Sequence, residues 1–152
     1  MHYISNITDL LKHKVLVIFY MLKVCWAIFK RAVKHDNSKF NKNEITEYVK
    51  LDVRKLKTTK YGSAEYFNLI QAASVGTQIH YSVNSHHPEF YKFGFGDMSY
   101  LDRLEMLADW KAASFRSGGD FNNSISKNVK RYKIKSFDKR SLIRDAQEIG
   151  LC

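Results

Sequence analysis

Val15-Leu-Val-Ile-Phe-Tyr-Met-Leu-Lys23-Val-Cys-Trp-Ala-Ile-Phe29 is apolar nearly all round, and its reading decides the fold. With Lys12 and Lys14 ahead of it, the stretch has the outline of a signal anchor. A spanning helix needs about 20 mostly apolar residues. This run has 15, Lys23 interrupts it, and no small-residue cleavage site follows. A helix that is apolar on most sides is also what the centre of a helical domain requires. The run therefore predicts a buried helix and no membrane partner.

The rest of the composition agrees with an all-α fold. One proline and seven glycines in 152 residues leave few breaks, and 45% hydrophobic content suffices for one sizeable core. A single domain over residues 1–152 is expected, with a motif-bearing core at 9–117 and a basic C-terminal extension at 118–152. The 25 Lys and Arg against 15 Asp and Glu give a net charge of +10, which favours anionic partners: phosphates, nucleic acid or acidic lipid. Cys25 and Cys152 form neither a disulfide framework nor a Cys-x-x-Cys pair, which suits a reducing cytoplasm.

Outward from the apolar run, one helix is predicted from about Asp9. A break near Lys23 to Trp26 leads to a second ending near Lys34. His35-Asp36-Asn37-Ser38 favours a turn. Asn41-Lys-Asn-Glu44 has capping-box spacing and opens a helix carrying Ile45, Tyr48, Val49 and Asp52. Lys55 to Gly62 reads as an exposed loop. Ser63 caps a longer helix, with Phe67, Ile70, Ser74, Val75 and Ile79 near one face and His80 at its end. Pro88 disfavours helix at His87, which puts His86 and His87 in a turn. Phe90 to Gly96 is an aromatic loop, and Ser99 opens a helix carrying Asp102, Glu105 and Asp109. These three acids fall on one side at i, i+3 and i+7, opposite Leu101, Leu104, Ala108 and Ala112.

The chemistry concentrates in three short motifs: His35-Asp36-Asn-Ser-Lys39-Phe40, His80-Tyr-Ser-Val-Asn84-Ser-His86-His87-Pro-Glu89 and Glu105-Met-Leu-Ala-Asp109-Trp110. Five of the six histidines, with His13 on the first helix, lie in patterns that suit a metal site. Neutral imidazole and carboxylate hold borderline and hard divalent cations. The bland readings are a core histidine at His13, a turn built by His86 and His87, and a solvated acidic face. Adjacent residues usually point apart, so one of His86 and His87 is expected to reach a metal directly.

The order His13, His35-Asp36, Asp109 resembles the HD superfamily of metal-dependent phosphohydrolases. That resemblance implies a compact helical bundle whose four residues bind a divalent cation between helices. His35-Asp36-x-x-Lys39 is similar to the stretch in HD-GYP phosphodiesterases where the lysine helps hold substrate phosphate. His80, His86 and His87 are similar to the histidines that hold a second metal in binuclear members. They lie closer together here and no Gly-Tyr-Pro follows, which argues against a cyclic dinucleotide substrate. The three motifs together are closer still to small bacterial and phage proteins that carry the same runs over residues 9 to 117.

The resemblance implies one or two ions of Mn, Fe, Mg, Co, Ni or Zn held by His13, His35, Asp36, His80, His86, His87 and Asp109. Bound water would attack a small anionic substrate, best fitted by a nucleotide. Lys39 and Asn84 would touch substrate, and Glu89 or Glu105 would orient the water or carry its proton. Two other readings stand beside this one. An HD-fold di-iron oxygenase would use the same ligands. A nucleic-acid-binding protein would use Lys127, Lys130, Arg131, Lys133 and Lys135, interleaved with Tyr132.

Overall fold

The computed structural model describes residues 2–50, 52–59, 63–72 and 74–152. Every regular element among them is helical, as the sequence predicts. The chain divides into two compact units, Met1–His35 and Asp36–Cys152.

The first unit is one helix, α1 (His2–Lys34), of 33 residues, about 50 Å long at the usual rise per residue, and Val15, Leu16, Phe19, Leu22 and Trp26 of its apolar run are exposed, not buried as the sequence predicts. The predicted break at Lys23 to Trp26 is absent. No proline or glycine interrupts the segment, and Lys23 folds its ammonium back over the Phe19 ring, 4.6 Å from its centroid. Trp26 stacks on Phe29 one turn further on, with centroids 5.4 Å apart. Arg31 and Lys34 in the last turn complement the negative end of the helix dipole. Among the described residues no helix is long and apolar enough to cross a membrane.

The second unit opens with a single 3₁₀ turn, Asn37–Phe40, then α2 (Lys42–Tyr48) and α3 (Val53–Thr58). The exposed loop predicted from Lys55 is in part helix. Asp52 caps α3 by accepting a hydrogen bond from the Lys55 amide at 2.9 Å, and Arg, Lys and Leu are good helix formers. Residues 60–62 of that predicted loop lie outside the described residues. The long helix expected after Ser63 is divided into α4 (Ala64–Ala72) and α5 (Ser74–Val83), on either side of residue 73, which is also outside them. The side chains of Phe67 and Ile70, expected on its inner face, are outside the described set as well. α5 packs against α2, and this contact positions the site.

After α5 the chain turns through His86 and His87. Pro88 starts a short 3₁₀ turn, and Gly94, at φ 66°, supplies a left-handed residue in the aromatic loop. Then come α6 (Tyr100–Arg116), α7 (Phe121–Arg131) and α8 (Ser136–Glu148). Met106, Leu107 and Trp110 of α6 pack with Phe121 and Ile125 of α7, Ile134, and Leu142 and Ala146 of α8. The basic segment after residue 117 is thus part of the core and not an appendage to it. Its charged residues ride on two amphipathic helices.

The inward face of α6 differs from the expected one. Asp102, Met106, Leu107, Trp110 and Ser114 are buried, whereas Ala108 and Ala112 are exposed. Asp102 faces in because it is a hub. With Ser99 it forms the capping box that starts α6, and its carboxylate also accepts from the Ser85 hydroxyl at 2.6 Å and the Tyr91 hydroxyl at 2.6 Å. Four satisfied donors offset the cost of burying the charge. The cap expected from Asn41 and Glu44 does not form, because Asn41 makes no side-chain cap and Glu44 turns inward.

Candidate metal centre

α5 delivers His80 into the interior of the second unit, and the turn after α5 delivers His86 and His87 beside it. Their relative exposures are 2%, 2% and 8%. The imidazole centroids of His86 and His87 are 4.2 Å apart, and those of His80 and His87 are 4.8 Å apart. Both adjacent histidines therefore enter one cluster, contrary to the expectation that they diverge. Strict alternation belongs to regular strands. Here His86 lies in a turn and His87 in extended backbone at φ −102°, and that change of direction aims both rings the same way.

Asp36 meets them from the 3₁₀ turn. Its φ of 57° is left-handed, a conformation that Asp and Asn tolerate better than most residues, and it points the carboxylate back at α5. Asp36 Oδ1 is 3.1 Å from His80 Nε2 and 3.4 Å from His86 Nε2. Lys39 pairs with the other oxygen, Oδ2. Burial alone would raise the Asp36 pKa, but hydrogen bonds from His80, His86 and Lys39 outweigh it and hold the carboxyl well below the usual range.

His87 is pushed the other way. Burial, then the neighbouring His86 and His80, lower its pKa to about 3, against an opposing pull from Asp109 and Asp36. The ring is neutral at physiological pH. Its Nε2 is buried and makes no hydrogen bond, while Tyr81 covers the ring with centroids 4.5 Å apart.

Two further carboxylates stand behind the histidines. Glu105 Oε1 of α6 is 3.2 Å from His86 Nδ1. Glu44 Oε1 of α2 is 2.8 Å from His80 Nδ1, and Glu44 is 1% exposed. Nothing in the sequence marks Glu44 as a site residue. An acid in the first turn of a helix carries no mark that separates a cap from a buried partner, and only the packing of α2 on α5 makes the difference. Ser38 is unmarked as well. Its hydroxyl is 3.2 Å from His80 Nδ1 and accepts from the Asn84 amide at 2.7 Å.

The other expected site residues fall as follows. Asn84, expected at the substrate, directs its amide at Ser38 and at the His80 carbonyl, 2.8 Å away, and so ties the 3₁₀ turn to α5. Glu89, expected to handle a proton, pairs with Arg131 at 3.1 Å and links the turn to α7. Asp109, half-buried on α6, lies near enough to act on His87. His35 ends the first unit, joined by a peptide bond to Asp36. His13 lies on α1 in the same unit, where its side chain is exposed.

Asp36, His80, His86 and His87 each offer one ligand atom, and these atoms all lie within 4.8 Å of one another. Ligand arms of about 2.1 Å, set at tetrahedral or octahedral angles, give polyhedron edges of about 3.0–3.4 Å. The two separations from Asp36 Oδ1, 3.1 Å and 3.4 Å, match those edges. A neutral buried imidazole with no hydrogen bond on Nε2 fits a ligand role as well. The donor set therefore suits a divalent cation.

The molecule is thus an all-helical protein with a buried cluster of three histidines and an aspartate that could hold a metal ion. The chain belongs to the family of unknown function DUF5662, whose profile matches residues 2–149. No curated protein and no solved structure shows significant similarity to it.

Proposed function

We propose that the chain is a metal-dependent phosphohydrolase that acts on a nucleotide or related phosphoester, with chemistry like that of the HD superfamily it resembles in sequence. The observation that carries this reading is the convergence of His80, His86 and His87 on Asp36, with a lysine ammonium beside the same carboxylate. Three imidazoles and one carboxylate favour Mn, Fe, Co, Ni or Zn over Mg, which prefers oxygen ligands. His35, next to Asp36 in the chain, and Asp109 extend the proposed ligand set on the strength of the motif order; His13, expected there too, does not, because the unbroken α1 sets it 22 residues, about 33 Å along the axis, before His35.

A divalent cation held by Asp36, His80, His86 and His87 would activate water for attack on phosphorus. The protein's own groups do the rest. Asp36 and the histidines fix the position of the attack. Lys39, half exposed at the edge of the cluster, sets a positive charge where the non-bridging oxygens of a phosphoester would approach. The net charge of +10 raises the local concentration of anionic substrate.

The nucleic-acid reading loses support from the same structure. Tyr132 stacks on Trp110 with centroids 6.0 Å apart, and Arg131 is committed to Glu89 and to the Tyr81 hydroxyl. Neither presents a free stacking face. Metal content of the purified protein, followed by a panel of nucleotides and phosphoesters with each metal restored, tests the proposal. Stoichiometric transition metal with phosphate release from at least one substrate is the expected result. Iron with an oxygen-dependent spectral change and no phosphate release would assign the site to oxygenase chemistry instead.

A further inference from the structure

Two carboxylates, the buried Glu44 and the partly buried Glu105, are left over from the cluster of Asp36, His80, His86 and His87, and each sits on the far nitrogen of a histidine that faces Asp36. Neither oxygen of Glu44 receives a hydrogen bond among the described residues, and its ion-pair partner is His80 Nδ1 at 2.8 Å. A buried carboxylate without a donor is strongly unfavourable. The neighbours of His80 Nδ1 narrow what can relieve it. The Asn84 amide nitrogen, 2.9 Å from His80 Nδ1, only donates, and its two hydrogens have closer acceptors in Ser38 Oγ at 2.7 Å and the His80 carbonyl at 2.8 Å. A hydrogen on His80 Nδ1 would serve Glu44, and Nε2, 3.1 Å from Asp36 Oδ1, is then the ring nitrogen that a cation between the two would take. The same arrangement recurs at His86, with Glu105 3.2 Å from Nδ1 and Asp36 3.4 Å from Nε2.

We infer that Glu44 and Glu105 are positioning residues that hold the ring hydrogens of His80 and His86 on Nδ1, so that Nε2 of each faces Asp36 as a ligand for a cation. The inference rests on the metal-centre reading and adds a division of labour to it. One carboxylate, Asp36, shares the inner space with the imidazoles, and two others act through them. When a cation enters, any hydrogen on Nε2 leaves to solvent, and the one on Nδ1 stays, held by the carboxylate behind it. Partners of this kind typically change metal affinity by about 10 to 100-fold.

The test combines two isosteric variants, Glu44→Gln and Glu105→Gln, with the unaltered protein. Zn²⁺ and Mn²⁺ affinities are measured by calorimetry. Proton–nitrogen correlation spectra of the Zn²⁺-loaded protein report which ring nitrogen carries hydrogen. The expected results are a fall in Zn²⁺ affinity of about 10 to 100-fold in each variant, unfolding midpoints of the metal-free variants no lower than the parent's, and hydrogen on Nδ1 of His80 and His86. Parent-like affinity in both variants, or loaded His80 with no hydrogen on Nδ1, overturns the inference and leaves the metal centre standing. If Glu44→Gln does not fold, Glu105→Gln and the spectra of the parent still decide it. Failure of the parent to bind either ion defeats the metal reading itself, and this inference with it.

Discussion

Asp36 is the residue at which backbone, charge and ligand geometry meet, so replacing it in two ways separates their contributions. Asparagine keeps the shape and adopts the left-handed conformation readily, whereas alanine at φ 57° adds backbone strain of about 1–2 kcal/mol. Both remove the charge. The pair with Lys39 is partly exposed and contributes about 0.2–1 kcal/mol. The contacts with His80 and His86 are buried, and hydrogen bonds to a charged group contribute about 1.5–3 kcal/mol each. An asparagine oxygen recovers part of that. We expect Asp36→Asn to lose about 2 kcal/mol and Asp36→Ala about 3–4 kcal/mol by urea unfolding in chelator.

The sign with pH follows from the direction of the shift. The folded carboxyl is depressed, so its stabilisation is fully present above the ordinary aspartate value of about 3.9 and is lost as pH falls below it. The gap between parent and Asp36→Asn should therefore hold from neutral pH down to about 4.5 and narrow only below that. The metal readout is sharper. A cation at 100 times its Kd stabilises the parent by about 2.7 kcal/mol, and Asp36→Asn should show no such rise. Its affinity loss should exceed about 100-fold, the upper end of what an indirect partner causes. A folded Asp36→Asn that retains stoichiometric metal and the parent's metal-dependent rise in midpoint would refute the assignment of Asp36 as the shared ligand.

Two further outcomes follow from the same geometry. His87 stays neutral in the fold down to about 3 and protonates near 6.5 when unfolded. The metal-free protein should therefore lose stability as pH falls through that interval, by up to about 1.4 kcal/mol per pH unit. His87→Gln should flatten the dependence; equal slopes of urea midpoint against pH in parent and variant would mean the ring is charged in the fold. Asp102→Ala removes the acceptor for Ser85, Tyr91 and the Ser99 cap, and should cost about 3–5 kcal/mol. A loss below about 1 kcal/mol in chemical unfolding would show that those donors find other partners.

How much of this was legible in the sequence depended on whether the signal was local. The helical class, the Ser99 start of α6 and the turn at Pro88 rest on caps, periodicity and proline chemistry, which act over a few residues. The break expected in α1 failed because a lone lysine in an apolar run suggests interruption, yet its ammonium can lie over the aromatic ring one turn back. The inner face of α6 was misread for a different reason. Periodicity ranks apolar against polar, and it cannot foresee that four donors converge on the Asp102 carboxylate and draw it inward. At the site, the histidine motifs marked the place because that residue type is rarely concentrated without cause. Glu44 carried no such mark, since its role exists only across the contact between α2 and α5.

The second unit assembles this cluster from anchors that lie outside it. The Asn84 amide fixes the 3₁₀ turn bearing Asp36 to α5, which bears His80. Asp102 fixes the start of α6, and with it Glu105, to Ser85 beside His86. Arg131 of α7 reaches back to Glu89 and Tyr81, on either side of the histidine turn. Each anchor is a charged or amide group tied to α5 or to the turns beside it, so little side-chain freedom is left to lose when a ligand enters. A cluster held this way carries the electrostatic cost of crowding three imidazoles and three carboxylates whether or not a cation is bound. That standing cost is a physical argument for a ligand, because a purely structural core could fill the same space with apolar side chains at lower free energy.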